Sequence, residues 1–107
     1  MADDDQTRVT PESLAAAGLR GWSITRAGLQ VAYDCGSFTA AGEFAGVVAA
    51  LADERNHHPD LAIAYPGHLT LTVMSHDVGR LTDRDLGLAT AVDELARTRG
   101  YDPVEGE

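Results

Sequence analysis

The feature that most constrains the fold is a long helical apolar stripe that a proline brings to an end. Apolar side chains recur every three or four residues over 38–52, and Ser37 stands where it can cap the start of a helix. Pro59 disfavours helical backbone in the residue before it, so His58 is expected at the break. The spacing predicts a helix from Ser37 to about Asn56, the longest in the chain, and its apolar stripe requires another layer to pack against.

Four shorter segments alternate between apolar and polar residues, as half-buried strands do. Ala27-Gly28 separates the first two segments and Pro66-Gly67 separates the last two, so each pair is predicted to form a β-hairpin. Tyr65 is expected to point inward with the other apolar residues of its strand. The predicted strands are 22–26, 29–34, 61–65 and 69–74.

Two further helices are indicated by capping patterns. Thr10 precedes a proline and an acidic residue, which is typical of a helix start, and this helix is expected to run to about Leu19. Thr82 and Asp85 resemble a capping box, with Asp in place of the usual Glu at the third helical position. The helix that follows is predicted to stop at Gly100.

The resulting order of elements is α-β-β-α-β-β-α. Two hairpins are expected to join into one sheet, and three amphipathic helices need one face of it to bury against. The predicted fold class is therefore α+β, a four-stranded antiparallel sheet with three helices packed on one face. At 107 residues the chain is expected to be one domain, with mobile tails at 1–8 and 102–107.

The charge of the chain argues against several classes of partner. A formal net charge of -9 leaves too few clustered Lys and Arg residues to bind nucleic-acid phosphate or an anionic membrane surface. No apolar run approaches the roughly 20 residues that a membrane span needs. The single cysteine, Cys35, cannot form an internal disulfide, and the acidic N-terminus is unlike a secretory signal, so a cytoplasmic location is expected.

Three histidines are the candidates for proton chemistry. His57 and His58 end the long helix, and His76 follows the last predicted strand. An imidazole has an unperturbed pKa of about 6.5, so it can both give and take a proton near neutral pH. Asp53 precedes His57 by four residues, on the same face while the helix lasts, and its carboxylate is expected to hold that ring.

A zinc site is the main alternative for these histidines. The available ligands are His57, His58, His76, Asp60 and Asp77. Adjacent residues at a helix end diverge, however, and the sequence contains no His-x-His or His-Glu-x-x-His spacing. We therefore predict no metal.

Several separated residues together resemble the signature of the pterin-4a-carbinolamine dehydratases. They are Asp53, His57-His58-Pro59, Tyr65, Ser75-His76 and Asp85. The similarity spans about Thr10 to Ala96 and includes the predicted order of elements. It implies an enzyme without a cofactor, which removes the hydroxyl at C4a and the proton at N5 from a 4a-hydroxytetrahydropterin and so recycles tetrahydrobiopterin through quinonoid dihydropterin.

The resemblance also implies roles for the histidines. His57 and His76 would perform the proton transfers, because the matching residues of the family line the pterin pocket. His58 would orient the pterin ring, and Asp53 would orient His57.

Substrate binding is expected from the residues that flank these histidines. Asn56 and Ser75 would bind the polar edge of the pterin, and Met74 would supply a backbone contact. Asn56 is a departure, since many members of the family carry Asp immediately before the two histidines.

Three more residues are open to a pocket role or a structural one. Trp22 could pack over the pocket or fill the core, and we favour the core. Asp85 is better explained as the capping-box residue than as a catalyst. Arg80 stands after Gly79, where the family usually has a second glycine, and it could narrow the pocket or place a cation near a carbonyl oxygen.

The resemblance implies partners as well as a substrate. Members of the family form homodimers or homotetramers and serve the pathway of an aromatic amino-acid hydroxylase. The alternative is a non-catalytic binding or assembly protein on the same fold, either a dimerisation cofactor of a transcription factor or an assembly factor. All three histidines are present here, which favours the enzyme.

Overall fold

The computed structural model describes residues 9–104, and its elements follow the predicted order with one strand added at the end. The helices are α1 (Pro11–Ala16), α2 (Phe38–Arg55) and α3 (Asp83–Arg99). The strands are β1 (Ser23–Ile24), β2 (Leu29–Asp34), β3 (Asp60–Ala64), β4 (His68–Val73) and β5 (Asp102–Pro103). The predicted α+β class, an antiparallel sheet with helices on one face, is confirmed.

The sheet is antiparallel, and its two central strands come from different hairpins. β2 pairs with β1 on one side and with β4 on the other, and β3 pairs with the far side of β4. Leu71 lies opposite both Val31 and Leu61, so these side chains form one apolar row on the same face. Alternate residues of β2 and β4 are buried, which is the period that the sequence predicted.

The two long helices supply the other half of the core. The buried residues of α2 are Ala41, Phe44, Val48 and Ala52. The buried apolar residues of α3 are Leu88, Ala89, Val92 and Ala96. Each set follows one face of its helix, and all of these residues except Ala52 pack with the buried rows of β2 and β4 in one cluster. Within residues 9–104 no helix combines the length and the apolar character that crossing a membrane requires.

Helix α1 is shorter than the sequence predicted. It ends at Ala16 rather than near Leu19, because Gly18 adopts a left-handed backbone with φ of 73°. The N–H of Leu19 then donates back to the carbonyl oxygen of Leu14 at 3.0 Å. The glycine that ends this helix is therefore Gly18.

Strand β1 is also shorter than predicted. It stops at Ile24 rather than Arg26, because Thr25 already belongs to the turn. Thr25 and Gly28 exchange two backbone hydrogen bonds, and the Thr25 hydroxyl adds a third to the Gly28 carbonyl oxygen. A threonine hydroxyl that bonds to nearby backbone groups stabilises a turn, and the turn competes with continued strand pairing.

Two aromatic residues that the sequence placed in apolar stripes are exposed. Phe38, the first residue of α2, is 56% exposed. Tyr65 is 88% exposed, because β3 ends at Ala64 and Tyr65 begins the turn to β4. The prediction that Tyr65 points inward is therefore wrong, since the alternation of a strand does not continue into a turn.

The segment predicted to be mobile from residue 102 contains a strand instead. β5 pairs with Tyr33 and Asp34 of β2, and the N–H of Val104 donates to the carbonyl oxygen of Ala32 at 2.7 Å. β4 occupies the other side of β2, so β1 and β5 share one edge of it. The predicted tails at 1–8 and 105–107 lie outside the described residues.

Trp22 belongs to the core, as the sequence favoured. Its Nε1–H donates to the hydroxyl of Tyr33 at 3.0 Å, and that hydroxyl donates to Oδ1 of Asp93 at 2.7 Å. Arg97 donates from Nε to Oδ2 of Asp93 at 2.9 Å and from Nη2 to the carbonyl oxygen of Gly18 at 2.8 Å. We call Trp22, Tyr33, Asp93 and Arg97 the Asp93 network.

Candidate active site

The two adjacent histidines leave helix α2 at a left-handed residue. The helix ends at Arg55, and Asn56 caps it with φ of 53°. Asparagine adopts this conformation more readily than most other residues. The N–H of His57 then donates to the carbonyl oxygen of Ala52 at 3.1 Å. Asn56, which the sequence predicted as a pterin contact, therefore also ends the helix.

His57 meets a buried carboxylate from helix α3. Its Nε2 lies 2.7 Å from Oδ1 of Asp85, a residue 28 positions later in the chain. The side chain of His57 is 11% exposed and that of Asp85 is 0% exposed. Because a carboxylate oxygen accepts hydrogen bonds, the hydrogen belongs to Nε2 of His57. Nδ1 is then the ring nitrogen that can take a proton.

Asp85 is held in place by further donors. Its Oδ2 accepts from the hydroxyl of Ser75 at 2.7 Å and from the N–H of Thr82 at 2.8 Å. The hydroxyls of Ser75 and Thr82 lie 2.8 Å apart, and all three residues are fully buried. A buried carboxylate needs such donors, because a buried charge without partners is strongly unfavourable. We call His57, Ser75, Thr82 and Asp85 the Asp85 network.

The predicted roles of Asp85 and Ser75 have different outcomes. The capping box is confirmed, since Thr82 caps α3 and Asp85 returns to the Thr82 backbone. The contact between Asp85 and His57 was not predicted. Two signals pointed toward it: both residues belong to the signature of the resemblance, and a capping carboxylate keeps a second oxygen free. Ser75 does not fit its predicted contact with the pterin, because its hydroxyl is buried between Asp85 and Thr82.

Asp53 pairs with His58 rather than with His57. Its Oδ1 lies 2.9 Å from Nε2 of His58. The prediction for His57 is wrong because a four-residue spacing matches only inside a helix, and α2 ends at Arg55. Both partners are largely exposed, so the contact contributes little to stability. Asp85, not Asp53, is the carboxylate that orients His57.

His76 lies on the loop between β4 and α3. Ser75 pairs with Arg80 across this loop as an isolated bridge. The Ser75 side chain points into the Asp85 network, while His76, the next residue, is exposed to solvent. His57 therefore contacts Asp85 directly. His76 is linked to Asp85 only through the preceding residue, Ser75.

Two other predicted residues flank His76. Met74 is half-buried where the chain leaves β4, close to Gly28 of the first hairpin. Arg80 is exposed on the opposite arm of the loop. Their roles toward a pterin stay predictions, but both lie on the segment that carries the third histidine.

A metal site has no support in the described part of the chain, where no three His, Cys, Asp or Glu side chains converge closely enough to hold an ion. An open cleft of about 410 Å³ lies beside the first turns of α3. Arg55, Asp83 and Gly87 are among its lining residues, and the three histidines are not. The cleft is therefore separate from the Asp85 network.

Comparison with known proteins connects this geometry to a family. Residues 7–95 match the sequence profile of a family described as pterin 4 alpha carbinolamine dehydratase. A protein of Koribacter versatilis is 35% identical over 91 residues, which cover 84% of this chain and 96% of that protein. A protein of Cyanothece sp. is 35% identical over 79 residues, covering 74% and 80%. Both carry the provisional name pterin-4-alpha-carbinolamine dehydratase.

A solved structure supports the fold. The crystal structure of a transcriptional coactivator/pterin dehydratase from Brucella melitensis superimposes with a TM-score of 0.71. The match covers 84% of this chain and 99% of that one, at 24% sequence identity. At that identity the likeness shows that the two chains share a fold.

Proposed function

Because the chain belongs to the pterin 4 alpha carbinolamine dehydratase family, we propose that it dehydrates a 4a-hydroxytetrahydropterin to a quinonoid dihydropterin. The observation that carries the proposal is the contact of 2.7 Å between Nε2 of His57 and the buried carboxylate of Asp85. A ring held in this way has one tautomer and one orientation, which a general acid or base requires.

The proposed reaction needs two proton transfers. The bond between C4a and the hydroxyl oxygen breaks, and a general acid protonates that oxygen, so that it leaves as water. A general base removes the proton from N5, and the electron pair of the N5–H bond forms the double bond between N5 and C4a. One proton is given and one is taken, so atoms and electrons balance without a cofactor.

His57 and His76 are proposed to carry these two transfers. His57 donates from Nε2 to Asp85, which leaves Nδ1 for the substrate. His76 is exposed, so it can exchange its proton with water between turnovers. His58 is proposed to orient the pterin ring from the end of α2.

The pterin itself is proposed to be bound by groups that flank the histidines. Asn56 would bind its polar edge from the end of α2, and the Met74 backbone would do so from the end of β4. Arg80 would place its cation near a carbonyl oxygen of the ring. Amide and backbone groups of this kind match the alternating donors and acceptors of a pterin edge.

Absorbance kinetics with chemically generated 4a-hydroxytetrahydropterin test the proposal. We expect the protein to accelerate dehydration, and His57→Ala and His76→Ala each to lower kcat by about 100-fold. His68→Ala is the matched control, because His68 lies in β4 outside the Asp85 network. The proposal is wrong if the wild type is no faster than buffer, or if both variants match the His68→Ala control.

A second function is favoured by one observation. The Brucella melitensis structure with the same fold is described as a transcriptional coactivator as well as a pterin dehydratase. By analogy, this chain could bind a protein partner without catalysis. A stable partner in a pulldown, together with no pterin affinity by calorimetry, would favour this function over the enzyme.

We further propose that the chain is a homodimer or homotetramer. Among the described strands, β3 pairs with β4 alone, so its outer edge is open to another strand. The apolar side chains of Ile63 and Tyr65 are exposed at and beside this edge. Light scattering would show a multiple of the chain mass, and a monomer at micromolar concentration would contradict the proposal.

The proposed activity implies a pathway partner. An aromatic amino-acid hydroxylase is a source of 4a-hydroxytetrahydropterin, so such an enzyme would act before this one. The cytoplasmic location expected from the sequence stays a prediction, which fluorescence microscopy of a tagged chain would test.

A further inference from the structure

We propose that Asp77 and Arg84 form a positioning pair that fixes His76, an inference that rests on the proposed dehydratase function. Arg84 donates from Nη2 to Oδ1 of Asp77 at 2.9 Å and from Nη1 to Oδ2 at 3.1 Å. Asp77 directly follows His76, and Arg84 directly precedes Asp85 in the first turn of α3. The pair therefore joins the neighbour of one proposed catalytic histidine to the neighbour of the carboxylate that holds the other.

The position of the His76 ring depends on such a pair more than the position of the His57 ring does. The ring of His57 is held through its own Nε2. In the described part of the chain, the exposed ring of His76 makes no hydrogen bond or ion pair of its own. The position of His76 is therefore set by the backbone on either side of it.

The backbone before His76 is well anchored. The Ser75 hydroxyl is held by Asp85 and Thr82, and the Ser75 carbonyl oxygen accepts from the N–H groups of Val78 and Gly79 at 3.2 and 2.9 Å. After His76, the Asp77 side chain is the group that reaches α3. The two anchors enclose His76, so the loop can hold its Cα at a fixed distance from the Asp85 network.

The geometry of the pair suits positioning better than stability. Asp77 is 62% exposed and Arg84 is 41% exposed, and ion pairs at such sites contribute little to folding. Two parallel hydrogen bonds between a guanidinium and a carboxylate fix direction as well as distance. The hydrogen bonds from Arg84 hold the pKa of Asp77 below its usual range, so the pair is intact at neutral pH.

Kinetics of three variants test the inference. Asp77→Asn removes one charge and one acceptor, and the double variant D77R/R84D reverses the pair. Glu94→Gln is the matched control, because it removes one negative charge from an exposed position of α3. We expect Asp77→Asn to lower kcat about tenfold with KM changed less than about twofold, and the reversed pair to restore kcat to within about threefold of the wild type.

A second measurement follows the loop without reference to activity. Heteronuclear ¹⁵N NOE values report backbone motion on the picosecond-to-nanosecond timescale. We expect the amides of residues 76 and 77 to be ordered in the wild type and in D77R/R84D, and to lose order in Asp77→Asn. The amides of α3 should stay ordered in all of these proteins.

The outcomes separate this inference from the proposed function. If the wild type does not turn over, the dehydratase proposal fails and the inference fails with it. If the wild type turns over and Asp77→Asn keeps both its kcat and its ordered loop, the inference alone is overturned. A reversed pair that is as slow as Asp77→Asn overturns it as well, because restored geometry should restore the rate.

Discussion

Helix α3 carries two buried carboxylates on one face, and their partners give them different properties. Asp85 and Asp93 are eight residues apart, about two helical turns. Asp93 accepts from a tyrosine hydroxyl and from the guanidinium of Arg97. Asp85 accepts from a serine hydroxyl, from a backbone N–H and from the ring of His57.

The difference lies in whether the cation beside the carboxylate can lose its charge. A guanidinium stays protonated at every pH at which proteins fold, so the Asp93 network is a fixed clamp between α3, β2 and the loop after α1. An imidazole can gain or lose a proton near neutral pH, so the Asp85 network can take part in a reaction. The same residue type on one helix face thus serves stability in one place and, in the proposed function, proton transfer in the other.

The largest expected effect is that of Asp85→Asn on activity. The amide has the shape of the carboxylate but only one acceptor oxygen, so it cannot accept from Ser75, Thr82 and His57 together. His57 then loses its fixed tautomer, and we expect kcat to fall about 100-fold in the dehydration assay. A variant with wild-type kcat would show that His57 works without Asp85.

Asp93→Asn should give the opposite pattern, a loss of stability without a loss of activity. The amide cannot accept from both Tyr33 and Arg97 in their present geometry, and a buried donor loses its partner. We expect the free energy of unfolding to fall by about 2 kcal/mol in urea titrations. The kcat of the folded variant should stay within about twofold of the wild type. A kcat as low as that of Asp85→Asn would show that the two networks do not differ in their effect on activity.

Thr82→Ala and Thr10→Ala compare two helix caps that differ in their link to the site. Both threonines cap a helix with a capping box, but only Thr82 is buried and bonded to Ser75. We expect Thr82→Ala to cost about 1.5 kcal/mol of unfolding free energy and Thr10→Ala about half of that. Only Thr82→Ala should also lower kcat. If the two variants have the same kcat, Thr82 does not contribute to the site.

The smallest expected effect is a loss of stability at alkaline pH through Tyr33. Burial first, and then the hydrogen bond to Asp93, raise the pKa of Tyr33 far above its usual value. The folded state then keeps a proton that the unfolded state releases, so this stabilisation is complete below the unfolded pKa of about 10 and is lost as the pH rises above it. We expect a decrease of about 1 kcal/mol between pH 10 and 11 in urea titrations.

Tyr33→Phe is the control for this titration, since it has no proton to lose. The chain contains no lysine, so few other groups change charge in the same range. The variant should show a flatter dependence on pH than the wild type. Identical slopes for the two proteins would show that folding does not raise the pKa of Tyr33.

The regular elements could be predicted because their signals are local. The alternation in β2 and β4 and the apolar stripe of α2 each lie within a single segment, and the caps at Ser37 and Thr82 lie next to the helices they start. β5 could not be predicted, since a strand of two residues is too short to show a period. Its pairing with β2 arises only after the rest of the sheet has formed.

The site could be predicted only in part, because its contacts join distant segments. The resemblance to a family identified His57 and the capping pattern identified Asp85, but neither showed that the two meet across 28 residues. The predicted contact of Asp53 with His57 depended on a helix that continues past residue 55. Asn56 reverses the backbone there and directs the two histidines to different carboxylates.

The shared edge of β2 has a consequence for synthesis on the ribosome. β2 can pair with β4 once residue 73 has left the ribosome. The other edge of β2, next to Tyr33, can pair only after residue 104 has been made. All of α3 is translated in between. Until then the edge of β2 at residues 32–34 has no strand beside it, and an unpaired edge of a central strand is prone to associate with other chains.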